Sequence, residues 1–266
     1  KVLAFFGKPV VCFNHGYVPY ENEINHLDLS SRAVKAIDRH LASADYIVTN
    51  SLLQENFVKS KLPEVSNRID HVTLGLLPFG PSGNIGRRKP IIAVSGGTRP
   101  IKANEVVAQA VALLNKKGID CKLRVYGRRY SANAALDEAV EAGIAEYRGQ
   151  VDNTIFVSEL SVCSVFVMDS RHEPFGLSAI DAIKAGCSLL LSRNCGVGEL
   201  LQLESGDVVE DCEDAVEVAA KIEPLLLNSN NQRLYDSIDF EKATWSNAAK
   251  RLRDICLRVV ENCGKK

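Results

Sequence analysis

Short apolar runs alternate with stretches of helical period along most of the chain. Val165-Phe166-Val167-Met168 is unbroken apolar sequence, the pattern of a strand covered on both faces. A polar stretch with Glu173 and Gly176 follows and opens a predicted helix, and Ser188 to Ser192 reads as the next strand. The same rhythm runs through the second half. Strands are predicted at Pro90 to Ser95, Lys122 to Tyr126 and Glu146 to Arg148. Helices are predicted from Asn104 to Lys116, Asn133 to Ala142, Asp214 to Leu227 and Trp245 to Cys263. The first part repeats the theme with strands at Val10 to Phe13, Tyr46 to Asn50 and Ile69 to Leu74. Between them Val34, Ile37, Leu41 and Ala44 recur at helical spacing, and Ser51 is a suitable N-cap for a further helix. Alternating strand and helix predicts α/β architecture with parallel sheets covered on both faces.

Pro78 to Pro90 interrupts this rhythm with Gly80, Pro81, Ser82, Gly83 and Gly86. By composition it is a linker, and Arg87-Arg88-Lys89 reads as solvated. The expected organisation is an incomplete first domain over 1–80, a linker over 81–89 and a second domain over 90–240. A helix over 241–266 would pack back toward the first domain, and Trp245 is expected to pack within it. Gly264-Lys265-Lys266 is expected to fray.

Composition narrows the function. The chain has 266 residues, 46% of them apolar and 24% charged, as in an ordinary globular protein. A net charge of -1 excludes a general electrostatic pull on nucleic acid but leaves room for a local phosphate pocket. No apolar run approaches the ~18 residues that span a bilayer. The opening Lys1 to Phe6 is cut short by Lys8 and Pro9, so it does not read as a signal segment. The eight cysteines form no CxxC pair and read as buried, reduced thiols of a cytoplasmic protein. Position 1 is Lys, so a processed chain or a piece of a longer one is expected.

Two acids stand out. On one helix, Glu173 and Asp181 would lie about 12 Å apart along the axis. A carboxylate pair acting on one glycosidic bond needs roughly 5–9.5 Å, so a hydrolase pair is disfavoured. Two acids touching two parts of an extended ligand fit better. Taken alone, Asp181 reads as a solvated helix residue. Pro174-Phe175-Gly176-Leu177 would offer the amides of a helix start to an anion, or be a simple turn. Ser95-Gly96-Gly97-Thr98-Arg99-Pro100-Ile101-Lys102 places small residues and two cations at a strand end, a phosphate cradle or a loop with solvated bases. His26, His40 and His71 lack metal spacing and read as surface or packing residues. His172 adjoins Glu173 and is a weaker site candidate.

Taken together these elements resemble the donor site of the retaining GT-B glycosyltransferases of the GT4 family. The resemblance rests on the Gly97-Arg99-Lys102 loop, Tyr126-Gly127, Arg148-Gly149-Gln150, the Glu173-x7-Asp181 signature and Cys195-Gly196-Val197-Gly198-Glu199, in that order. It covers about Pro90 to Gly206. It implies a GT-B-like fold of two Rossmann-like domains and transfer of a sugar from a nucleoside-diphosphate donor with retention. Glu173 would bind sugar hydroxyls and Asp181 the ribose. Arg99 and Lys102 would neutralise the leaving diphosphate, with the amides of Phe175, Gly176 and Leu177. Gly97, Gly127 and Gly149 would line the donor site, with Glu199 at its edge and His15 on the first domain. Neither cofactor nor metal is implied, because the cations supply the charge.

The chain departs from the family in three ways. The second acid is Asp181, where the family has Glu. Arg99 and Lys102 are three apart, where five is common. About nine residues precede the first strand, where the family has roughly a hundred more, so a reduced member or a missing front is expected. The implied acceptor is a carbohydrate or a lipid-linked sugar of glycan synthesis, which keeps peripheral membrane contact open. An uncovered first domain predicts a homodimer. Two rival readings remain. One is a non-catalytic relative that binds nucleotide sugar or a partner enzyme. The other is an NAD enzyme, disfavoured because no GxGxxG follows a strand.

Overall fold

The computed structural model describes residues 8–81 and 88–263. The Lys1 to Phe6 segment, most of the linker including Arg87, and the terminal Gly264-Lys265-Lys266 lie outside the described residues. The chain divides into two compact units. One ends at Pro78 and resumes at Asp239; the other runs from Phe79 to Ile238.

The first unit opens with β1 (Val11–Asn14), α1 (Val18–Asn25), α2 (Ser31–Ala42), β2 (Tyr46–Thr49), α3 (Leu52–Lys61) and β3 (Ile69–His71). Ser30 accepts a hydrogen bond from Ala33 N and Ser51 from Gln54 N, so both helices start at side-chain caps. The strands pair in parallel in the order β1-β2-β3. Alternation along β2 sends neighbouring residues to opposite faces. Ile47 joins a core with Tyr17, Leu41, Val58 and Ile69. Val48 joins a second core with Val72, Ile255 and Val259. The last two come from the final helix of the chain, which completes the covering of this sheet. Trp245, the first residue of that helix, is half exposed and not a packing residue. Its backbone is what packs, against Gly75.

The second unit contains β4 (Lys89–Val94), α4 (Asn104–Lys116), β5 (Lys122–Tyr126), α5 (Ala134–Glu141), β6 (Ala145–Gly149), α6 (Asn153–Leu160), β7 (Cys163–Met168), α7 (Leu177–Ala185), β8 (Ser188–Ser192), β9 (Val208–Val209), α8 (Ala215–Leu227) and α9 (Asn231–Asp236). The chain then ends in α10 (Trp245–Cys263). All six strands pair in parallel in the order β6-β5-β4-β7-β8-β9. Every residue of β7 is buried, as its apolar run requires. One face of the sheet packs on α4 and α8 through Val107, Val111, Leu114, Val218 and Ile222.

The linker expectation fails at its end. Lys89 is already in β4, and Arg88 is a clamp and not a solvated base. Its guanidinium donates to the carbonyls of Leu160, Cys163 and Ala185 at 3.3, 2.9 and 2.7 Å. These carbonyls end α6, start β7 and end α7, so one side chain ties three element ends together, with the Cys187 thiol as a second, weaker donor to the carbonyls of Leu160 and Cys163. The thiols are all free. Five are buried, Cys12 and Cys256 are half-buried, and Cys263 is exposed.

Candidate functional site

The strand order reverses at β4. The chain steps outward to β5 and β6, then returns to place β7 on the other side of β4. In an open parallel sheet the crevice at such a reversal, beyond the carboxyl ends of the strands, is where ligands bind. Two loops meet there: Ser95 to Ala103 after β4, and Asp169 to Gly176 after β7. They are joined by an ion pair between Lys102 Nζ and Glu173 Oε2, both side chains about four-fifths covered or more. The backbone of Arg171 also donates to Ile101 O at 2.9 Å.

Glycine forms the floor. Gly97 has φ +65°, and a Cβ there would lie 1.9 Å from Arg128 O. Gly127 has φ +117°, and its Cβ would lie 2.6 Å from Gly97 N. The β4 and β5 loops therefore touch backbone to backbone, which only glycine permits. Gly97 N donates to Tyr126 O and Gly127 N to Gly149 O, each at 2.8 Å, so three strand ends are tied in series. Asn104 fixes the first loop from below, donating through one amide to Ser95 O and Gly97 O at 3.0 and 2.8 Å.

The second loop is held from behind. Glu173 N donates to Asn194 O, and Glu173 O accepts from Gly196 N, each at 2.9 Å. Val197 N reaches Phe175 O at 2.7 Å. Phe175 is buried, so its side chain anchors the loop and leaves only its backbone for the site. Gly176, at φ +108°, starts α7 with no side-chain cap, and Leu177 after it is half exposed. The first amides of α7 thus carry their partial positive charge toward the loops.

The remaining predicted residues separate. Arg99 is exposed and lies over the Tyr130 ring, 4.5 Å from its centroid, with 2.8 Å from Nη2 to the hydroxyl. It borders a cavity of about 310 Å³ with Gly96, Gly127, Arg128 and Gln150. Lys102 is thus with Glu173, while Arg99 is stacked on a different partner. Asp181 lines a second cavity of about 260 Å³ and accepts a 2.9 Å hydrogen bond from Asn153 Nδ2. Glu199 is exposed on the 3₁₀ turn Gly196–Leu200 that buttresses the Glu173 loop. His172 is buried. His15 belongs to the first unit, at the end of β1, its ring 4.7 Å from that of Phe13.

Several residues of this region carried no sequence signal. Asp169 follows β7 and is fully buried, and neither of its carboxyl oxygens has a hydrogen-bond partner. Burial, reinforced by the charge of Glu213, pushes its acid up to about 9, so it is protonated at neutral pH. Arg171 fans out to Glu105 at 2.8 Å and Glu213 at 2.5 Å and also donates to Pro100 O. Tyr130 and Asn153 lay in loops by pattern. Each acts through a partner more than twenty positions away, a separation that local periodicity does not report.

In the first unit, Glu55, Asp70 and His71 bring potential metal-ligand atoms within 4.8 Å of one another. Their charge is already met. Glu55 pairs with Lys59 and His71, and Asp70 with Arg251 and Arg258. His71 is therefore an ion-paired residue, while His26 and His40 are on the surface.

Comparison with known proteins gives one family whose model matches residues 40–252, described as "Family 4 Glycosyltransferase in conflict systems". No curated protein matches by sequence. Among solved structures, sucrose-phosphate synthase from Thermosynechococcus elongatus superposes with a TM-score of 0.75 at 16% identity, over 95% of this chain and 68% of that one. TarM of S. aureus, solved with fondaparinux, alpha-GlcNAc-glycerol and UDP, gives 0.72 at 13%, over 92% of this chain and 50% of that one. HepE of Anabaena, solved with UDP and glucose, gives 0.65 at 13%, over 97% and 72%. At these identities the likeness is one of fold, and this chain spans half of TarM.

Proposed function

The chain belongs to the family-4 glycosyltransferases of conflict systems, and we propose that it moves a sugar from a nucleoside-diphosphate donor to a hydroxyl acceptor with retention. The Lys102–Glu173 pair at the sheet's reversal carries this reading, because it sets a cation and a sugar-binding acid in one crevice. Glu173 takes the donor-sugar hydroxyls. Lys102 exchanges Glu173 for the donor phosphate, and Arg99 leaves Tyr130 to join it. The amides of Phe175, Gly176 and Leu177 share the same charge. Gly97, Gly127 and Gly149 let the nucleotide lie close to the backbone.

In the reaction the bond between the anomeric carbon and the diphosphate oxygen breaks, and its electron pair leaves on the phosphate. The acceptor oxygen bonds to the same face of that carbon. Its proton passes to a diphosphate oxygen. Catalysis is then largely electrostatic stabilisation of the departing diphosphate. Lys102 and Arg99 supply the charge a divalent ion otherwise brings. The acceptor is a carbohydrate or lipid-linked hydroxyl.

Calorimetric titration of UDP-, GDP- and dTDP-sugars into the chain and into Glu173→Ala tests the reading. UDP comes first, since TarM and HepE were solved with it. Micromolar binding of one donor, weakened in Glu173→Ala, supports it. A folded chain that binds none of them overturns it.

A further inference from the structure

Asp181 does not stand alone at its cavity. It projects from α7, and Asn153, the first residue of α6, donates to its Oδ2 at 2.9 Å. A carboxylate only accepts hydrogen bonds, so the amide nitrogen of Asn153 must face Asp181 and its amide oxygen must face away. The pair therefore leaves two further acceptors at the cavity, Asp181 Oδ1 and Asn153 Oδ1, related through the hydrogen bond between them. Among the described residues neither oxygen accepts from a protein donor. Two acceptors side by side match a ligand with two neighbouring hydroxyl donors. The cavity wall beside the pair is apolar at Val151 and Phe156, and its floor is the glycine backbone at Gly96 and Gly127. A flat heterocycle on the wall and a diol on the acid–amide pair would fill it.

We infer that Asn153 and Asp181 act together as the reader of the ribose 2′,3′-diol, with Asn153 supplying the second acceptor. This rests on the nucleotide-sugar reading of the same site. It gives a physical account of Asp181 where the family has the longer Glu. A single long acid can accept both hydroxyls; a short one leaves one of them to its neighbour. Asn153 is thus a specificity-determining residue for ribose over 2′-deoxyribose, and its contribution depends on the length of its partner.

The test is titration of UDP, GDP and their 2′-deoxy forms into the full chain, Asn153→Ala, Asp181→Glu and the double variant, with thermal melts to confirm folding. Loss of one hydrogen bond to a charged pair corresponds to about tenfold in affinity. The expected result is a ribose preference of that order in the native chain, reduced to about threefold or less in Asn153→Ala. In the Asp181→Glu background, removing Asn153 should change the preference little. A ribose preference unmoved by Asn153→Ala in a folded variant overturns the inference and leaves the nucleotide-sugar reading standing. A native chain that binds none of the four nucleotides overturns that reading, and the inference with it.

Discussion

Lys102 and Glu173 lie 71 positions apart in sequence and form one ion pair across the point where the strand order reverses. The pair does two things at once. It closes the β4 loop against the β7 loop, and it stores a cation beside the crevice. The aliphatic stem of Lys102 lies so close to Gly96 that a Cβ there would meet its Cγ at 2.6 Å.

Removing either partner is therefore expected to separate structural from chemical effects. Lys102→Met should lower transfer by roughly 10²–10³-fold, the scale for deleting one charge-stabilising group. Both single variants leave a largely covered charge unpaired. A Lys102→Met/Glu173→Leu double variant should melt above either single one, because the stranded charge is gone. Steady-state kinetics and thermal melts on the three proteins check both statements. A double variant that melts lower than both singles would contradict the pairing argument.

Gly97 and Gly149 make a matched comparison, since both have positive φ, +65° and +72°. A Cβ at Gly97 would strike Arg128 O, whereas at Gly149 nothing lies within 4 Å. Gly149→Ala should cost about 1 kcal/mol of backbone strain. Gly97→Ala should cost more than about 3 kcal/mol, because strain and a backbone collision add. Urea melts of the two variants measure the difference.

Asp169 should make the protein lose stability as pH rises. Its acid is raised to about 9 in the folded chain, far above the ordinary carboxylate value. The folded state then holds a proton that the unfolded state has released. Its contribution is fully present below about pH 4 and is lost as pH rises toward 9. Asp169→Asn removes the titration. From pH 5 to pH 9 the variant should gain on the native chain by about 1.4 kcal/mol per pH unit, several kcal/mol in all. Chemical denaturation at the two pH values decides it; an equal gap at both would assign the effect to packing.

Arg88→Met should destabilise without touching the chemistry. Ala185 O loses its side-chain donor and the carbonyls of Leu160 and Cys163 keep only the weak Cys187 thiol, for about 2–3 kcal/mol in all. Donor affinity measured on the folded fraction should stay within about twofold.

On the proposed reading a chelator should leave transfer unchanged, because Lys102 and Arg99 would provide the charge facing the diphosphate. Activity measured with and without EDTA tests this. Abolition by EDTA and recovery with a divalent ion would reassign that role to a metal.

Much of the fold was legible from local pattern. The bounds of α4, β5, β8 and α10 follow from periodicity and apolar runs alone. Three short helices were not. In α1 no residue is buried, so it has no apolar stripe to read. In α6, Ile155-Phe156-Val157 is a contiguous apolar run of β-branched and aromatic residues, which mimics a strand. In α9 only six residues make the helix, too few for a period to emerge. The site shows the same division. Glu173, Gly176 and Lys102 announced themselves through motif spacing. Asp169 carried no signal, because its burial comes from elements distant in sequence. Arg88 looked like one base in a basic linker, because its three acceptors lie more than seventy positions away.

The contact between Gly97 and Gly127 has a consequence for how this pocket can change. Its floor has no side chains, so it has nothing to exchange for another shape or charge. Substitution there meets collision before it meets selectivity. On the proposed reading, retuning toward a different base or sugar must come from the side chains lining the two cavities, Val151, Asn153 and Asp181 in one, Arg99, Arg128 and Tyr130 in the other, and Gln150 in both. A library built to alter donor choice should randomise those side chains and hold the glycines fixed.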